Sequence, residues 1–395
     1  MRVVTVNGYS AKWLRKGFPW VYPKEVVKGR TSKAAGSWVE LRDERGTRLG
    51  SGIADEGWIA VRVFEHDDPE QAGPGGLVAL LDRAAALRDG LFGPETTGYR
   101  LVHAENDGLP GVRIDWWSHH ATVILDSPAL ALVLPTIVAW LQRTLSPRGI
   151  HLAYRLDARD TRKGRLDPPP GLLDGHEPTG DVRVLERGVT FGVRPHDGPD
   201  VGLYADMRGV RAWMEPHWGG MRVLNTFAYT GAFSVSAAYN GAMETVSVDL
   251  SKAYLERAEK NFELNELPTD AHEFIVEDTF KALDRFRRKG RRFDRVILDP
   301  PSFSHSDAGI WSSKKDLPRL VAAAARVLDP DGWILVASNQ GEMSPRDFRG
   351  LVLEGFKRAN RRAQELWIGS QAADFPAHSA FPEGRYLKVA VWRLD

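Results

Sequence analysis

The 395-residue sequence contains no cysteine. This absence excludes disulfide bonds, metal sites built on thiolates, and every reaction that needs a cysteine nucleophile. The sequence also has no large excess of either charge, because 53 lysine and arginine residues face 52 aspartate and glutamate residues. Any binding of nucleic acid must therefore depend on local basic patches. We see no pattern of metal ligands and predict no metal site.

Long apolar runs are absent as well. We find none that approaches the length of a bilayer-spanning segment, and residues 1–7 lack the apolar core and the small-residue cleavage site of a signal peptide. We therefore expect a cytoplasmic protein without a membrane partner. For a chain of this length we expect two or three domains, with enough core to bury an active site.

The first 33 residues form a local basic patch. It contains eight lysine or arginine residues and a single acidic residue, Glu25, and aromatic residues are interspersed among them. This composition suits phosphate contacts beside stacked bases. We select Lys12, Arg15, Lys16 and Trp20 as candidate RNA-binding residues. The alternative is a solvated face over a small core.

Turn-rich segments divide the chain into regions of different pattern. Residues 36–65 alternate as short β-strands, and a break rich in proline and glycine follows at 67–76. A mixed α+β region then ends in a long polar loop. From Val182 onward, short apolar runs alternate with longer amphipathic segments, which is typical of a doubly wound α/β sheet. We predict three domains: 1–73, small and β-rich; 74–181, mixed α+β; and 182–395, α/β.

Ligands of open parallel sheets bind at the carboxyl ends of the strands, so the residues after each apolar run are the candidates. The first run of the third domain ends at Asn225 and continues through Phe227, Tyr229 and Gly231 into a helix. Gly231 would let the backbone approach a ligand closely, and the helix N-terminus favours a negative group. The loop is not a G-x-G-x-x-G sequence, so by itself it favours a cofactor only weakly.

The next two runs end in acidic residues. Residues 244–248 precede Asp249, whose carboxylate can accept hydrogen bonds from both hydroxyls of a ribose. Residues 273–276 precede Glu277 and Asp278, and Asp278 can accept from an adenine amino group. The alternative is that such carboxylates only balance the dipole of the following helix.

The fourth run is followed by the most specific motif of the chain, Asp299-Pro300-Pro301-Ser302-Phe303. Two prolines fix a rigid turn and remove backbone donors, so Asp299 can present an acceptor to a target amine while Phe303 packs on a planar base. We assign Asp299, Pro300 and Phe303, together with Asn339 after the fifth run, as candidate catalytic residues. A proline turn that only closes a strand is the alternative.

Together these motifs resemble those of class I methyltransferases that modify bases of large-subunit (23S) ribosomal RNA. The resemblance rests on residues 225–233, 247–251 and 299–303 and extends over nearly the whole chain. It implies an N-terminal PUA domain, a linker domain and a Rossmann-like catalytic domain. It also implies S-adenosylmethionine as cofactor, S-adenosylhomocysteine as product, and ribosomal RNA or a pre-ribosomal particle as partner, and it leaves a homodimer open. From the motifs and the resemblance we expect cofactor contacts at Tyr204, Arg208, Asn225, Phe227, Tyr229, Gly231, Asp249, Leu250, Asp278, Thr279 and Asp299.

The sequence departs from the family pattern at three places. Met207 stands where glutamine is usual, and residues 200–201 replace a Lys-Thr pair. After the fifth run, the cytosine-C5 members of the family have a nucleophilic cysteine where this chain has Asn339. Cytosine C5 is a poor nucleophile until a thiolate adds at C6. We therefore expect methylation at a nitrogen such as guanine N7, which needs only alignment with the methyl group.

Two interpretations from other classes stay open at this point. The chain could be an RNA-binding scaffold with a vestigial cofactor pocket, because two of the departures fall near that pocket. It could also methylate a small molecule, if the N-terminal region serves oligomerisation instead of RNA binding. Binding of S-adenosylmethionine argues against the first, and salt-dependent affinity for ribosomal RNA argues against the second.

Overall fold

The computed structural model describes residues 1–29, 31–66, 68, 73–157, 166–301, 303–306 and 309–395, without the side chains of 74, 303–306, 309–311 and 313. The chain forms two compact units. Unit 1 comprises Met1–Val184, Val193–Val201 and Ala373–Gly384, and unit 2 comprises Leu185–Gly192, Gly202–Ala372 and Arg385–Asp395. Both predicted N-terminal domains thus lie in unit 1, which also takes residues 182–184, 193–201 and 373–384 from the predicted third domain.

Unit 1 begins with a six-stranded sheet and one short helix. Asn7 starts the helix because its side chain accepts a hydrogen bond from the backbone N–H of Ser10, at 2.9 Å. The strands lie in the order β2-β6-β5-β4-β1-β3, and only β1 and β4 run parallel. This confirms the predicted small β-rich fold. The elements are β1 (Arg2–Val6), α1 (Gly8–Leu14), β2 (Trp20–Val21), β3 (Val26–Lys28), β4 (Trp38–Arg42), β5 (Arg48–Ala54) and β6 (Val61–Glu65).

The second sheet of unit 1 has five strands in the order β11-β10-β9-β8-β7. Strands β9 and β10 are parallel, and a helix connects them, as a parallel pair requires. The predicted mixed α+β region is therefore present. Its elements are α2 (Pro74–Arg88), β7 (Gly98–His103), β8 (Val112–Trp117), β9 (His120–Leu125), α3 (Leu134–Leu145), β10 (Gly149–Tyr154) and β11 (Gly171–Gly175).

One stretch of this region, Pro128–Leu145, reaches the length and composition of a membrane span, with a mean hydropathy of 1.3. The expectation that no apolar run approaches that length was therefore wrong. The stretch joins a short 3-10 turn to α3, and Ile137, Trp140 and Leu141 of α3 are completely buried in the core of the five-stranded sheet. Core helices pass the same test of length and composition, so the stretch is weak evidence for a membrane span.

Unit 2 is built on a seven-stranded sheet in the order β16-β15-β14-β17-β20-β22-β21. Its first five strands are parallel, and β22 runs antiparallel to both of its neighbours. This confirms the predicted doubly wound α/β fold. The strands are β14 (Arg222–Thr226), β15 (Glu244–Asp249), β16 (His272–Val276), β17 (Phe293–Leu298), β20 (Leu328–Ser338), β21 (Ala363–Gly369) and β22 (Lys388–Leu394).

Helices and two hairpins complete the elements of this region. The hairpins are β12 (Val182–Glu186) with β13 (Val189–Val193), and β18 (Phe303–Ser306) with β19 (Gly309–Ser312). The helices are α4 (Arg208–Met214), α5 (Ala232–Tyr239), α6 (Lys252–Glu263), α7 (Thr279–Arg288), α8 (Ser313–Ala325) and α9 (Pro345–Ala359).

Apolar residues cover both faces of the seven-stranded sheet. Consecutive residues of a strand point to opposite faces, so Val223 packs in one core cluster and Leu224 in the other. Ile297 and Leu298 of the neighbouring strand divide in the same way. Because the strands are clamped between two cores, the polar residues at their carboxyl ends are held on a rigid frame.

Candidate active site

The strand order of unit 2 reverses at β14. Its last residue, Thr226, pairs with Val248 of β15 on one side and with Leu298 of β17 on the other. The chain therefore runs outward in both directions from this point, which is where open α/β sheets bind ligands. Asp249 and Asp299 come directly after the two paired residues and so lie at the same edge of the sheet.

Asp249 is fixed by the main chain. Its Oδ2 accepts a hydrogen bond from the N–H of Tyr229 and its Oδ1 accepts from the N–H of Ser251, both at 2.9 Å. A carboxylate has about four acceptor positions, so each oxygen keeps room for a further donor. Two free acceptor positions on one immobile carboxylate suit a pair of neighbouring hydroxyl groups.

The loop between β14 and α5 has an unusual backbone. Phe227, Tyr229 and Gly231 have φ values of 56°, 52° and 75°, in the left-handed region. For the two aromatic residues this conformation is unfavourable, and such strain is concentrated at functional sites. Hydrogen bonds hold the loop in place, among them one from the Thr230 hydroxyl to the carbonyl of Gly202 and one from the Asn261 amide to the carbonyl of Thr230.

Gly231 is required by packing as well as by its φ. A Cβ atom there would lie only 2.8 Å from the Cβ of Ala258 on α6. The close neighbour of this glycine is therefore a second helix, and the close approach of a ligand stays a prediction. The consequence is that α5 begins tightly against α6 and its first turn is fixed.

Three tyrosines form a cluster next to Asp249. The ring of Tyr229 lies 5.0 Å from that of Tyr204 and 4.5 Å from that of Tyr254, and all three rings are partly exposed. Leu250 beside them is 57% exposed. An exposed aromatic and apolar surface next to a fixed carboxylate fits a nucleoside, whose base stacks while its ribose hydroxyls donate. Tyr254 is not among the residues selected from the sequence, although an aromatic residue in the first turn of α6 was the available signal.

Two predicted cofactor contacts are buried away from this surface. Asn225 is 2% exposed, and its amide donates to the hydroxyl of Ser234, which is bonded in turn to Ser247. Thr279 is buried at the start of α7. Both side chains are packed in the interior, and their predicted cofactor contacts stay predictions. Asp278 caps α7 by accepting from the N–H of Lys281 at 3.1 Å, and its predicted contact with the adenine amino group stays a prediction.

A buried cluster of charges supports Tyr204. Glu186 accepts two hydrogen bonds from Arg211, at 2.6 and 2.8 Å, and lies 3.5 Å from the guanidinium of Arg208. Arg211 also donates to the main-chain carbonyl of Tyr204. Arg208 is almost fully buried here, so its predicted cofactor contact stays a prediction. Neither Glu186 nor Arg211 is among the residues selected from the sequence.

Asp299 has an environment that disfavours its charge. Burial and the nearby Asp206 carboxylate raise the pKa of Asp299 to about 7, and Arg211 opposes the shift. Asp206 in turn accepts a hydrogen bond from the hydroxyl of Tyr386, at 2.7 Å. A cationic group placed beside Asp299 would favour the carboxylate, since an opposite charge lowers the pKa of an acid.

The other predicted catalytic residues are distributed around the same edge. Pro300 is buried, and Asn339 is exposed directly after the end of β20. Phe303 begins β18, but its side chain lies outside the described part of the structure. Among the residues that the structure describes, no cluster of three histidine or acidic side chains could hold a metal ion.

The predicted RNA-binding residues lie on or near α1 in unit 1. Lys12 is exposed, and the ammonium group of Lys16 lies 5.1 Å from the ring of Trp13. Arg15 is held by Asp43 at 2.5 Å, and the indole N–H of Trp20 donates to Glu105 at 3.0 Å. Arg15 and Trp20 therefore already have polar partners within the chain. Trp13 and Tyr9, which were not selected, expose large parts of their rings on the same helix.

Comparison with known proteins gives consistent matches. Residues 156–372 match the family described as S-adenosylmethionine-dependent methyltransferase, and residues 4–66 match the PUA-like domain family. The Ribosomal RNA large subunit methyltransferase I of Photobacterium profundum is 34% identical over 380 residues, which is 95% of each chain. The protein of the same name from Aeromonas hydrophila is 35% identical over 394 residues, 99% of this chain and 98% of that one. The crystal structure of SMU.776 complexed with SAH superposes over 100% of both chains with a TM-score of 0.88 at 24% identity, which supports the fold.

Proposed function

Because the chain belongs to the S-adenosylmethionine-dependent methyltransferase family, we propose that it methylates a base of large-subunit ribosomal RNA at a nitrogen such as guanine N7. Two features support RNA as the substrate. Relatives named as large-subunit ribosomal RNA methyltransferases align over nearly the whole chain. The PUA-like region carries exposed basic and aromatic side chains on α1, which suit phosphates and bases.

The residues at the edge of the sheet fit the cofactor. Asp249 offers two acceptor positions to ribose hydroxyls, and the tyrosine cluster with Leu250 offers a surface for the adenosine portion. When bound, S-adenosylmethionine supplies an electrophilic methyl group on a positively charged sulfur. Asp299 is the acidic side chain that would face this charge, and its carboxylate form would be favoured by it.

The absence of cysteine is the main observation that favours methylation at a nitrogen atom over methylation at cytosine C5. Methylation of cytosine at C5 requires a nucleophile that adds to C6, and no thiol exists anywhere in the chain. A ring nitrogen with a lone pair forms the new N–C bond directly while the C–S bond breaks. At guanine N7 no proton has to leave, so the site needs to orient the base and stabilise charge but needs no general base.

Asn339 is the residue that we propose to orient the base. It is exposed immediately beyond β20, and β20 is the neighbour of the strand that carries Asp299. Replacing Asn339 with alanine should slow methyl transfer by about 10- to 1,000-fold if its amide holds the base in the transition state. An unchanged rate would remove Asn339 from the mechanism.

The test combines product analysis with chemical trapping. Purified protein is incubated with methyl-labelled S-adenosylmethionine and 23S ribosomal RNA from cells that lack the gene, and the RNA is digested to nucleosides for mass spectrometry. We expect a nucleoside methylated on nitrogen. RNA that contains 5-fluorocytosine should yield no complex that survives denaturation. Either 5-methylcytosine or such a complex would overturn the choice of nitrogen, and failure to label ribosomal RNA would overturn the substrate.

A further inference from the structure

Lys388 is a buried lysine at the edge of the sheet that carries the candidate catalytic residues. It is the first residue of β22 and pairs with Ser338, the last residue of β20. Strand β20 also pairs with β17, which leads into Asp299. Two strand spacings therefore separate Lys388 from the turn that follows β17, a distance of roughly 10 Å. A lysine side chain can span most of that distance.

The ammonium group of Lys388 is held by main-chain carbonyls. It donates to the carbonyl of Gln340 and, at 2.6 Å, to the carbonyl of Tyr386. The residue is 6% exposed, and within the described chain no carboxylate forms an ion pair with it. A buried lysine without a counter-ion is rare and unfavourable, and burial lowers the pKa of Lys388 to about 8. Since an ammonium has three N–H groups, one donor remains for a ligand.

Gln340, whose main-chain carbonyl accepts from Lys388, also carries a side-chain acceptor. Its main chain is tied down, because its carbonyl accepts from Lys388 and from the N–H of Met343. Its side-chain Oε1 is fully buried, and no donor in the described part of the chain reaches it. A buried acceptor without a donor lowers the stability of the folded protein by about 1 to 3 kcal/mol. A ligand N–H would remove that cost.

We propose that Lys388 and Gln340 recognise the edge of the target guanine that presents O6 and N1–H. This inference rests on the proposed function and names the base that the site accepts. Lys388 donates to O6, and Gln340 Oε1 accepts from N1–H. Adenine presents an amino group and a bare nitrogen at the same two positions, so it would place donor against donor and acceptor against acceptor. Recognition of this edge leaves N7 of the same base free to react.

The first arm of the test compares variants on 23S ribosomal RNA. Lys388→Met and Gln340→Met should each lower kcat/KM for methyl transfer by about 10- to 100-fold, because each removes one hydrogen bond to the base. Affinity for S-adenosylmethionine, measured by calorimetry, should stay within about twofold. The control is Lys357→Met, which removes an exposed lysine from the last turn of α9 and should leave kcat/KM unchanged.

The second arm separates recognition from a structural role. A synthetic RNA that contains the methylated position is made with guanosine, inosine or 2-aminopurine riboside at that position. Inosine keeps O6 and N1–H and should be methylated like guanosine, whereas 2-aminopurine lacks both and should react at least about 10-fold more slowly. In the Gln340→Met variant, the difference in methylation rate between the guanosine and 2-aminopurine RNAs should be smaller than in the wild type. Since Gln340 uses its main chain for internal bonds, this variant stays informative even if Lys388→Met fails to fold.

Three results are distinguishable. If the wild-type protein labels no ribosomal RNA, the proposed function fails. If it labels ribosomal RNA on a base other than guanine, the proposed substrate stands and the recognition of guanine is wrong. If guanine is methylated but Gln340→Met discriminates against 2-aminopurine as strongly as the wild type, the pair does not read the base.

Discussion

At the scale of single residues, Asp249 has the most defined environment in the site, because two backbone N–H groups fix its carboxylate. Asp249→Ala should weaken binding of S-adenosylmethionine by about 1 to 3 kcal/mol, since it removes the acceptor for the ribose hydroxyls. Isothermal titration calorimetry measures this directly. Asp270→Ala, an exposed aspartate in the loop before β16, is the matched control and should have no effect. Equal affinities in the two variants would contradict the assignment.

Asp299 should make cofactor binding depend on pH near neutrality. Its pKa of about 7 means that it is largely protonated below pH 6 and largely ionised above pH 8. A cationic ligand binds better to the ionised form, so affinity for S-adenosylmethionine should rise as the pH increases from 6 to 8. Asp299→Asn should bind more weakly at pH 8 and show a flatter profile. A profile that is identical in wild type and variant would exclude Asp299 from the cofactor's surroundings.

The same pKa shift predicts an effect on stability of the free protein. The folded state holds the proton of Asp299 up to about pH 7, whereas the unfolded chain releases it near its ordinary value of 3.8. The cost of ionising this partly buried carboxyl is therefore absent below pH 3.8 and complete above pH 7. Asp299→Asn should raise the free energy of unfolding at pH 8 by on the order of 2 kcal/mol, and the gain should shrink toward pH 4. Denaturant titrations at the two pH values measure it.

At the scale of elements, the loop between β14 and α5 connects packing to function. Gly231→Ala should destabilise the protein by about 2 to 4 kcal/mol, because alanine is disfavoured at a φ of 75° and its Cβ would contact Ala258. Thermal unfolding measures the loss. In the double variant with Ala258→Gly, the stability lost through the contact with Ala258 should be recovered. The stability lost through the unfavourable φ should not be recovered. Gly219→Ala, which has open space around its Cβ, is the control.

The sequence predicted the strands and their order of succession more successfully than the surroundings of single side chains. Short apolar runs followed by acidic residues correctly indicated a doubly wound sheet with Asp249 and Asp299 at strand ends. Asn225 and Thr279 were selected by the same rule, but their side chains are buried. Position after a strand therefore identified the edge of the sheet, and only the packing of α5 and α7 decided which of these side chains reach the surface.

At the scale of the whole molecule, the proposed function separates cofactor binding in unit 2 from an RNA-contacting surface on α1 in unit 1. The double variant Lys12→Glu/Lys16→Glu should weaken binding of 23S ribosomal RNA and reduce the slope of log affinity against log salt by about 1 per lost phosphate contact. Binding of S-adenosylmethionine should not change. Arg83→Glu, an exposed arginine on α2, controls for charge. An unaltered salt dependence would mean that α1 is only a solvated face.

The sequence by itself determined the class of fold, the region that holds the site, and the exclusion of a thiol nucleophile, because these follow from local periodicity, residue order and composition. It could not reveal that Lys388 lies beside Gln340 or that Tyr204 and Tyr254 both pack on Tyr229, since sheet order and helix packing create those contacts between distant segments. Nor could it reveal that residues 193–201 and 373–384, distant along the chain, belong to unit 1. Patterns in sequence report which residues are buried within one element, whereas partners across elements depend on register and packing that form only when the whole chain has folded.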